Sequence, residues 1–300
     1  MRNKVCLQIN GQDFILGQET WIMGILNVTP DSFSDGNLYF DRNEAVKHGL
    51  NLIKEGANIL DIGAESSRPG SDPIPVQEEL DRILPVISEL RDHTDTLLSI
   101  DTTKAEVARR ALDAGADIIN DISSFKFDPD MLPLVAEREI PIVLMHLKGN
   151  PKTMQDNPSY ENLLAEVKSF FQERIDKAVS SGIRKDKIII DPGIGFGKNF
   201  KDNLSLIRNL KYFENLGRPL LVGHSRKSFI GKIVDSPPQD RLEGSLSAAV
   251  LSVSHGAHLL RVHDVAATKK AVLIADAILN EKELDTISIS ELEENQHYVF

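Results

Sequence analysis

Eight short apolar runs, each with a polar residue at or near its end, alternate with helical stretches along almost the whole chain. The runs are WIMGILNV (21–28), NILDIG (58–63), LLSID (97–101), DIINDI (117–122), PIVLMH (141–146), KIIID (187–191), PLLVGH (219–224) and HLLRVH (258–263). Runs this apolar suit strands buried on both faces. Between them lie helical stretches such as 76–91, 104–114, 160–181, 202–213, 240–255 and 265–279. Asp128-Pro129 and Asp202 are plausible helix starts. Gly56, Gly115, Gly182, Gly217 and Gly256 each fall just after a helix and shortly before a strand, where a left-handed stop is expected. Eight βα units with no break in composition predict a single (β/α)8 TIM barrel over 21–282. Residues 5–16 read as two strands turned at Asn10-Gly11, so 1–20 is expected to form an N-terminal β-hairpin. The stretch 283–300 is an acidic C-terminal tail.

An open doubly wound sheet is the alternative, but its dinucleotide fingerprint is missing. The nearest match, GIGFG at 193–197, leads into Lys198-Asn199-Phe200 rather than straight into a helix, and is weak as a nucleotide motif. The net charge of -11, spread along the chain, argues against a nucleic-acid partner. With one cysteine, Cys6, neither an internal disulfide nor a cysteine metal cluster can form. The first residues lack the apolar core of a signal peptide, and no apolar run approaches the ~18 residues of a membrane span. The expectation is a cytoplasmic protein with no membrane partner.

In a barrel the strand ends gather at one rim, where catalytic groups sit. Here those ends carry Asn27, Asp61, Asp101, Asn120 with Asp121, His146, Asp191, His224, and Arg261 with His263. Asp61 alone reads as a cap for the helix that follows. Arg261 and His263, two apart on one strand, face the same side, and Asp264 can cap the last helix. That cation pair beside a helix start is a ready anion site, the bland alternative being a structural Arg–Asp pair. A metal-ligand role for His263 is disfavoured, since no partner stands at ligand spacing. Lys227, in GHSRKSFIG (223–231), could be a solvated charge or a Schiff-base nucleophile. With Arg226 and two serines beside it, donation to a ring oxygen or nitrogen suits it better. Asp101, Asn120 and Asp191 offer the acceptors and amide that a flat amino-substituted heterocycle needs, and Met145 could lie on its face. Two polar loops, 29–40 and 64–75, complete the rim, the second carrying Arg68 as a further anion candidate.

Taken together, MGILNVTPDSFSDG, ESSRPG, SIDT, NDI, MHLKGNPKTMQ, DPGIGFGK, GHSRKSFIG and RVHDV occur in an order that resembles the dihydropteroate synthase family. The resemblance covers nearly all of 21–280. It implies a transferase of folate synthesis that joins (7,8-dihydropterin-6-yl)methyl diphosphate to 4-aminobenzoate and releases diphosphate. By that resemblance Asp101, Asn120, Met145, Asp191 and Lys227 would hold the pterin. Ser67, Arg68, Arg261 and His263 would take the diphosphate. Asn27 would be the one protein ligand of Mg2+, and Phe33, Pro69 and Ser228 would frame the aminobenzoate. Asp101, Lys227 and Arg261 would carry the catalysis. The family's habit also implies a homodimer through the last barrel helices.

The chain departs slightly from the family pattern. Ser67 stands where Thr is usual, Ala64 replaces a common Gly, and Leu147-Lys148 follow Met145-His146 where Met and Gln are frequent. Three rivals remain: a pterin-binding methyltransferase barrel, which needs no diphosphate site; a non-catalytic pterin carrier; and a phosphate-binding barrel aldolase.

Overall fold

The computed structural model describes residues 2–29, 38–66 and 70–280, with the side chains of 38–41 left aside. Asn10 (φ 49°) and Gly11 (φ 77°) both take left-handed backbone, which bends β1 (Val5–Ile9) back on β2 (Gln12–Leu16) as a tight antiparallel hairpin. The parallel strands follow: β3 (Trp21–Asn27), β4 (Ile59–Gly63), β5 (Leu97–Asp101), β6 (Ile118–Asp121), β7 (Ile142–Met145), β8 (Ile188–Asp191), β9 (Leu221–Val222) and β10 (Leu259–Val262). Their order is β8-β7-β6-β5-β4-β3-β10-β9, so β10 returns to pair with β3. A single bridge, Ile190 to Leu220, joins β8 to β9 and completes the barrel.

Helices cover the outside: α1 (Leu38–Lys54), α2 (Val76–His93), α3 (Ala105–Asp113), α4 (Met131–Arg138), α5 (Leu163–Ser180), α6 (Phe200–Arg208), α7 (Ser228–Val234), α8 (Leu242–Ser254) and α9 (Val265–Leu279). The expected helix over 202–213 is α6 followed by a 3-10 turn, Leu210–Leu216. Gly56, Gly115, Gly182, Gly217 and Gly256 all have positive φ, as the stop positions require. The capping residues differ from the sequence reading. Asn199 caps α6, and Asp202 is its partner at the third position, reaching back to the Asn199 N–H. Asp128 serves two helices: one carboxylate oxygen accepts from the Ala105 N–H at 2.7 Å, at the start of α3, and the other from the Asp130 N–H at 3.0 Å, just before α4. Asp264 makes no capping bond to α9; it pairs with Arg226 instead, at 2.9 and 2.5 Å.

The hairpin plugs the N-terminal mouth of the barrel. Leu7, Ile9 and Leu16 pack against Met23, Ile59, Ile118, Val143, Ile189, Leu221 and Leu259, all of them buried. Full burial of such an aliphatic side chain is worth about 1.5–3 kcal/mol, so this layer is a large share of the barrel's stability. Beside it, Arg2 donates to Thr20 Oγ1 (2.6 Å), the Ala257 carbonyl (2.9 Å) and Asp276 Oδ1 (2.5 Å), tying the first described residues to α9. Among the described residues no helix is long and apolar enough to cross a membrane.

Candidate active site

Side chains on a strand alternate between faces, so residues two apart share one face. The inward residues beyond the apolar plug therefore arrive together at the C-terminal mouth. They are Ile25, Asp101, Asn120, Met145, Asp191, Gly223 and Arg261, and they line one cleft with Ile122, Phe196, Ser225, Lys227 and His263. The cleft measures about 440 Å3, counting the space open to solvent. A Cβ at Gly223 would lie 3.7 Å from Arg261 and 3.9 Å from Asp191, so the glycine keeps the floor open between them.

Arg261 organises one wall. Its Nε donates to Asp61 Oδ2 at 2.5 Å and its terminal nitrogen to Asp101 Oδ2 at 2.7 Å. Asn120 Nδ2 donates to the same Asp61 oxygen at 3.0 Å. Burial opposes the guanidinium charge, but Asp61 and Asp101 outweigh it and hold Arg261 above its ordinary value. Burial pushes the Asp101 carboxyl up to about 7 against the pull of Arg261, with Asp61 adding repulsion.

Asp61 is the residue whose role the sequence hid. It is fully buried in the middle of β4 and caps no helix. Its carboxylate underpins both the cation and the amide of the cleft. The available signal was its position: an Asp flanked by Ile59, Leu60 and Ile62 lies inside a buried strand, where a carboxylate needs a partner.

The opposite wall holds Asp191 and Lys227. Asp191 is buried, and its Oδ1 accepts the Gly193 N–H at 2.7 Å. Burial raises its pKa, while Lys227 and that N–H pull the other way. Lys227 donates to the Ile194 carbonyl, and its ammonium lies 4.5 Å from the centre of the Phe196 ring. Burial lowers Lys227 to about 8, partly offset by Asp191. Met145 is 3% exposed and lies in the cleft lining as well as in a small apolar cluster with Ile122, Leu147 and Met154.

Not every polar strand end reaches the cleft. Asp121, one residue past Asn120, faces outward and accepts the N–H groups of Ser123 (2.8 Å) and Phe125 (2.7 Å), shaping the next turn. His146, next to Met145, meets Lys198 at 2.8 Å behind the barrel wall. His224, next to Gly223, faces the Ser245 carbonyl at 3.1 Å. His263 stands at the rim with its Nδ1 3.1 Å from Ser225 Oγ, and Ser228 is exposed at the first turn of α7. Asn27 ends β3 half-buried, and its carboxamide has no hydrogen-bond partner among the described residues. The expected roles of Phe33, Ser67, Arg68 and Pro69 lie outside the described residues, as do most of loop 29–40 and the tail 283–300. Of the first loop, 38–40 already belong to α1.

A barrel that gathers donors and acceptors in one cleft at its strand tips has the architecture of the barrel enzymes, whose active sites lie at that face. The family model described as pterin binding enzyme matches residues 23–263. A dihydropteroate synthase of Synechocystis is 47% identical over 266 residues, covering 88% of this chain and 92% of its own. The structure of Xanthomonas albilineans dihydropteroate synthase with 4-aminobenzoic acid superposes with a TM-score of 0.86 at 45% identity, over 93% of this chain and 99% of that one. The same organism's enzyme in complex with 7,8-dihydropteroate gives a TM-score of 0.80 at 44% identity, over 89% and 96%. The chain belongs to the pterin-binding enzyme family, among its dihydropteroate synthases.

Proposed function

We propose that the chain condenses (7,8-dihydropterin-6-yl)methyl diphosphate with 4-aminobenzoate to give 7,8-dihydropteroate and diphosphate, as a step of folate synthesis. The observation that carries this reading is the convergence of Asp101, Asn120, Asp191, Lys227 and Arg261 on one cleft. The complexes of related enzymes with 4-aminobenzoic acid and 7,8-dihydropteroate support it. A rival methyltransferase barrel would need the ring-binding residues but no anion site; here the Arg261 guanidinium stands beside them, already paired with Asp61 and Asp101, next to a His263 imidazole that burial and Arg261 hold down to about 4, so the expected cation pair is one cation and a neutral donor.

The proposed chemistry needs no protein nucleophile. The bond between the exocyclic methylene carbon and the diphosphate oxygen breaks heterolytically, and its electron pair leaves with diphosphate. Arg261 and His263, with Ser67 and Arg68 from the second loop, take that charge. The carbon left behind is a cation conjugated with the dihydropterin ring. Asp101, ionised, stabilises that cation from the cleft wall. Asn120 and Asp191 read the ring's edge, and Lys227 donates to it. The arylamine nitrogen of 4-aminobenzoate, framed by Phe33, Pro69 and Ser228, then bonds to the carbon and loses a proton. Exclusion of water by the rim loops would keep the cation from hydrolysis.

No group of three or more His, Cys, Asp or Glu among the described residues could hold a metal unaided. Mg2+ takes most of its ligands from water and substrate oxygens, so a single protein donor is enough to hold it. Asn27, with its carboxamide oxygen free at the strand tip, would be the protein's ligand. When bound, Mg2+ would supply neutralising charge to the diphosphate. The test is diphosphate release from the pterin diphosphate, with and without 4-aminobenzoate and Mg2+. Release by neither route would refute the synthase reading. Tight binding of 4-aminobenzoate to the free enzyme would refute the dissociative order.

A homodimer is also proposed. Leu251 of α8 and Leu273, Ile274 and Ile278 of α9 are 52–70% exposed, an apolar surface that a second copy would cover. Ile274→Asp should yield monomers by light scattering; an unchanged mass for both proteins would remove this proposal.

A further inference from the structure

The loop from Pro192 to Asn199 packs backbone against backbone on the end of β7. Gly193, Gly195 and Gly197 all have positive φ (67°, 85° and 65°). A Cβ at Gly193 would strike the His146 carbonyl, and one at Gly197 the Lys148 carbonyl. The loop is thus pressed flat, and side chains hold it there. At its centre is Lys198, 2% exposed, whose ammonium donates to the Phe196 carbonyl (2.9 Å), the His146 carbonyl (2.9 Å) and His146 Nδ1 (2.8 Å).

Three donors meet three acceptors with no carboxylate in contact. Burial drives Lys198 well below the ordinary lysine value, with Asp191 pulling it back. His146 is held neutral in the same way, by burial and then by Lys198, so its Nδ1 is free to accept. A buried ammonium without a counterion is an expensive way to gain stability. Its acceptors instead link two elements: one belongs to the loop, two to the strand end. Two outer braces repeat the connection, Gln155 Nε2 to the Gly195 carbonyl at 2.7 Å and Tyr160 Oη to the Gly197 carbonyl at 2.6 Å.

This loop forms the seat of Lys227. Its Ile194 carbonyl accepts from Lys227, its Phe196 ring lies against the ammonium, and a Cβ at Gly195 would come 3.1 Å from Lys227 Cδ. We propose that Lys198 is a positioning residue: it braces the 192–199 loop against the end of β7 and so fixes the carbonyl and the ring that aim Lys227 into the cleft. The proposal rests on the synthase reading for its kinetic consequence but not for its structural one.

The two are tested separately. Competitive acetylation of Lys227 by acetic anhydride, followed by mass spectrometry across pH, reads its titration in the free protein without any substrate. The charged groups that face Lys227 are Asp191 from β8, Arg261 and His263 from the β10 end, His224 from the β9 end, and Lys198 itself. In Lys198→Met, Lys227 gains water, and its titration moves up from about 8 towards the ~10.4 of a solvated lysine. Removal of the Lys198 charge would act in the same direction, so a charge-neutral variant is needed. Gln155→Ala/Tyr160→Phe removes the outer braces and alters no charge near Lys227. A smaller upward shift there, together with the Lys198→Met shift, is the expected result.

An unchanged profile in Lys198→Met overturns the proposal; if that variant does not fold, Lys198→Ala is read in the same way and an unchanged profile there overturns it. In the kinetic arm Lys198→Met raises KM for the pterin diphosphate by about ten- to a hundredfold, while KM for 4-aminobenzoate stays as it was. A wild-type protein that releases no diphosphate would refute the synthase reading and leave the acetylation result standing.

Discussion

The two mouths of the barrel are built from the same strands, two residues apart. On β4 the plug residue is Ile59 and the site residue Asp61; on β6 they are Ile118 and Asn120. On β8 they are Ile189 and Asp191, and on β10 Leu259 and Arg261. The N-terminal layer is aliphatic and closed by the hairpin. The C-terminal layer buries carboxylates, an amide and a guanidinium, with Arg261 joining Asp61 to Asp101 and Asn120 donating to Asp61. One step of strand period separates residues that stabilise the barrel from residues that face its C-terminal mouth. The lesson is that the barrel's interior buries charge at its C-terminal mouth and only apolar side chains at the other, where the buried Arg2–Asp276 pair lies beside the plug and not in it.

The sharpest way to break that division is Arg261→Met. It strands Asp61 and Asp101 without their cation, so stability should fall by about 3–5 kcal/mol in urea titration, and diphosphate release by about a hundredfold or more. Adding Asp61→Asn should restore part of the stability and none of the activity; recovery of both would mean the cation serves only to neutralise the carboxylate. Next, Asp101→Asn should lower kcat by about a hundredfold while pterin affinity, read by calorimetry, changes little. Equal losses in the two would remove the cation-stabilising role. At the other mouth, Ile189→Ala should cost about 2–5 kcal/mol of stability yet leave kcat per folded molecule unchanged, as active-site titration would show.

Smaller still is the pH response. The proposed reaction uses Asp101 ionised and Lys227 protonated, so kcat/KM should fall below about 7 and again above about 8. A profile flat from pH 6 to 9, both limbs absent, would disconnect these two groups from the rate. Least of all, Gly11→Ala, at a φ of 77°, should cost about 1 kcal/mol through the hairpin turn, with no kinetic effect.

The strand sequence was legible because apolar runs ending in polar residues are dictated by local burial, and all eight runs became barrel strands within a few residues. The hairpin was legible because Asn10-Gly11 is a local turn signal. The site ring of Asp101, Asn120, Asp191, Lys227 and Arg261 was legible from strand ends together with family motifs. What escaped notice depends on partners far along the chain. Asp61 meets Arg261 across 200 positions, and Lys198 meets His146 across 52. Asp128 serves a helix that begins 23 residues earlier. None of these partners can be seen in a local window. The GIGFG stretch is weak as a nucleotide motif, and what its glycines do could not be read locally: they let a loop lie flat on a neighbouring strand end.

The single bridge between Ile190 and Leu220 leaves the barrel with one thin seam, and Asp191 and Lys227 stand on its two sides. Loosening should start where the fewest backbone bonds must break. The molecule would then lose its grip on a ring long before it lost its shape. Amide exchange should reveal that order as faster labelling around residues 190 and 220 than along β4 and β5, and saturation with a bound pterin should slow it by stitching the seam shut.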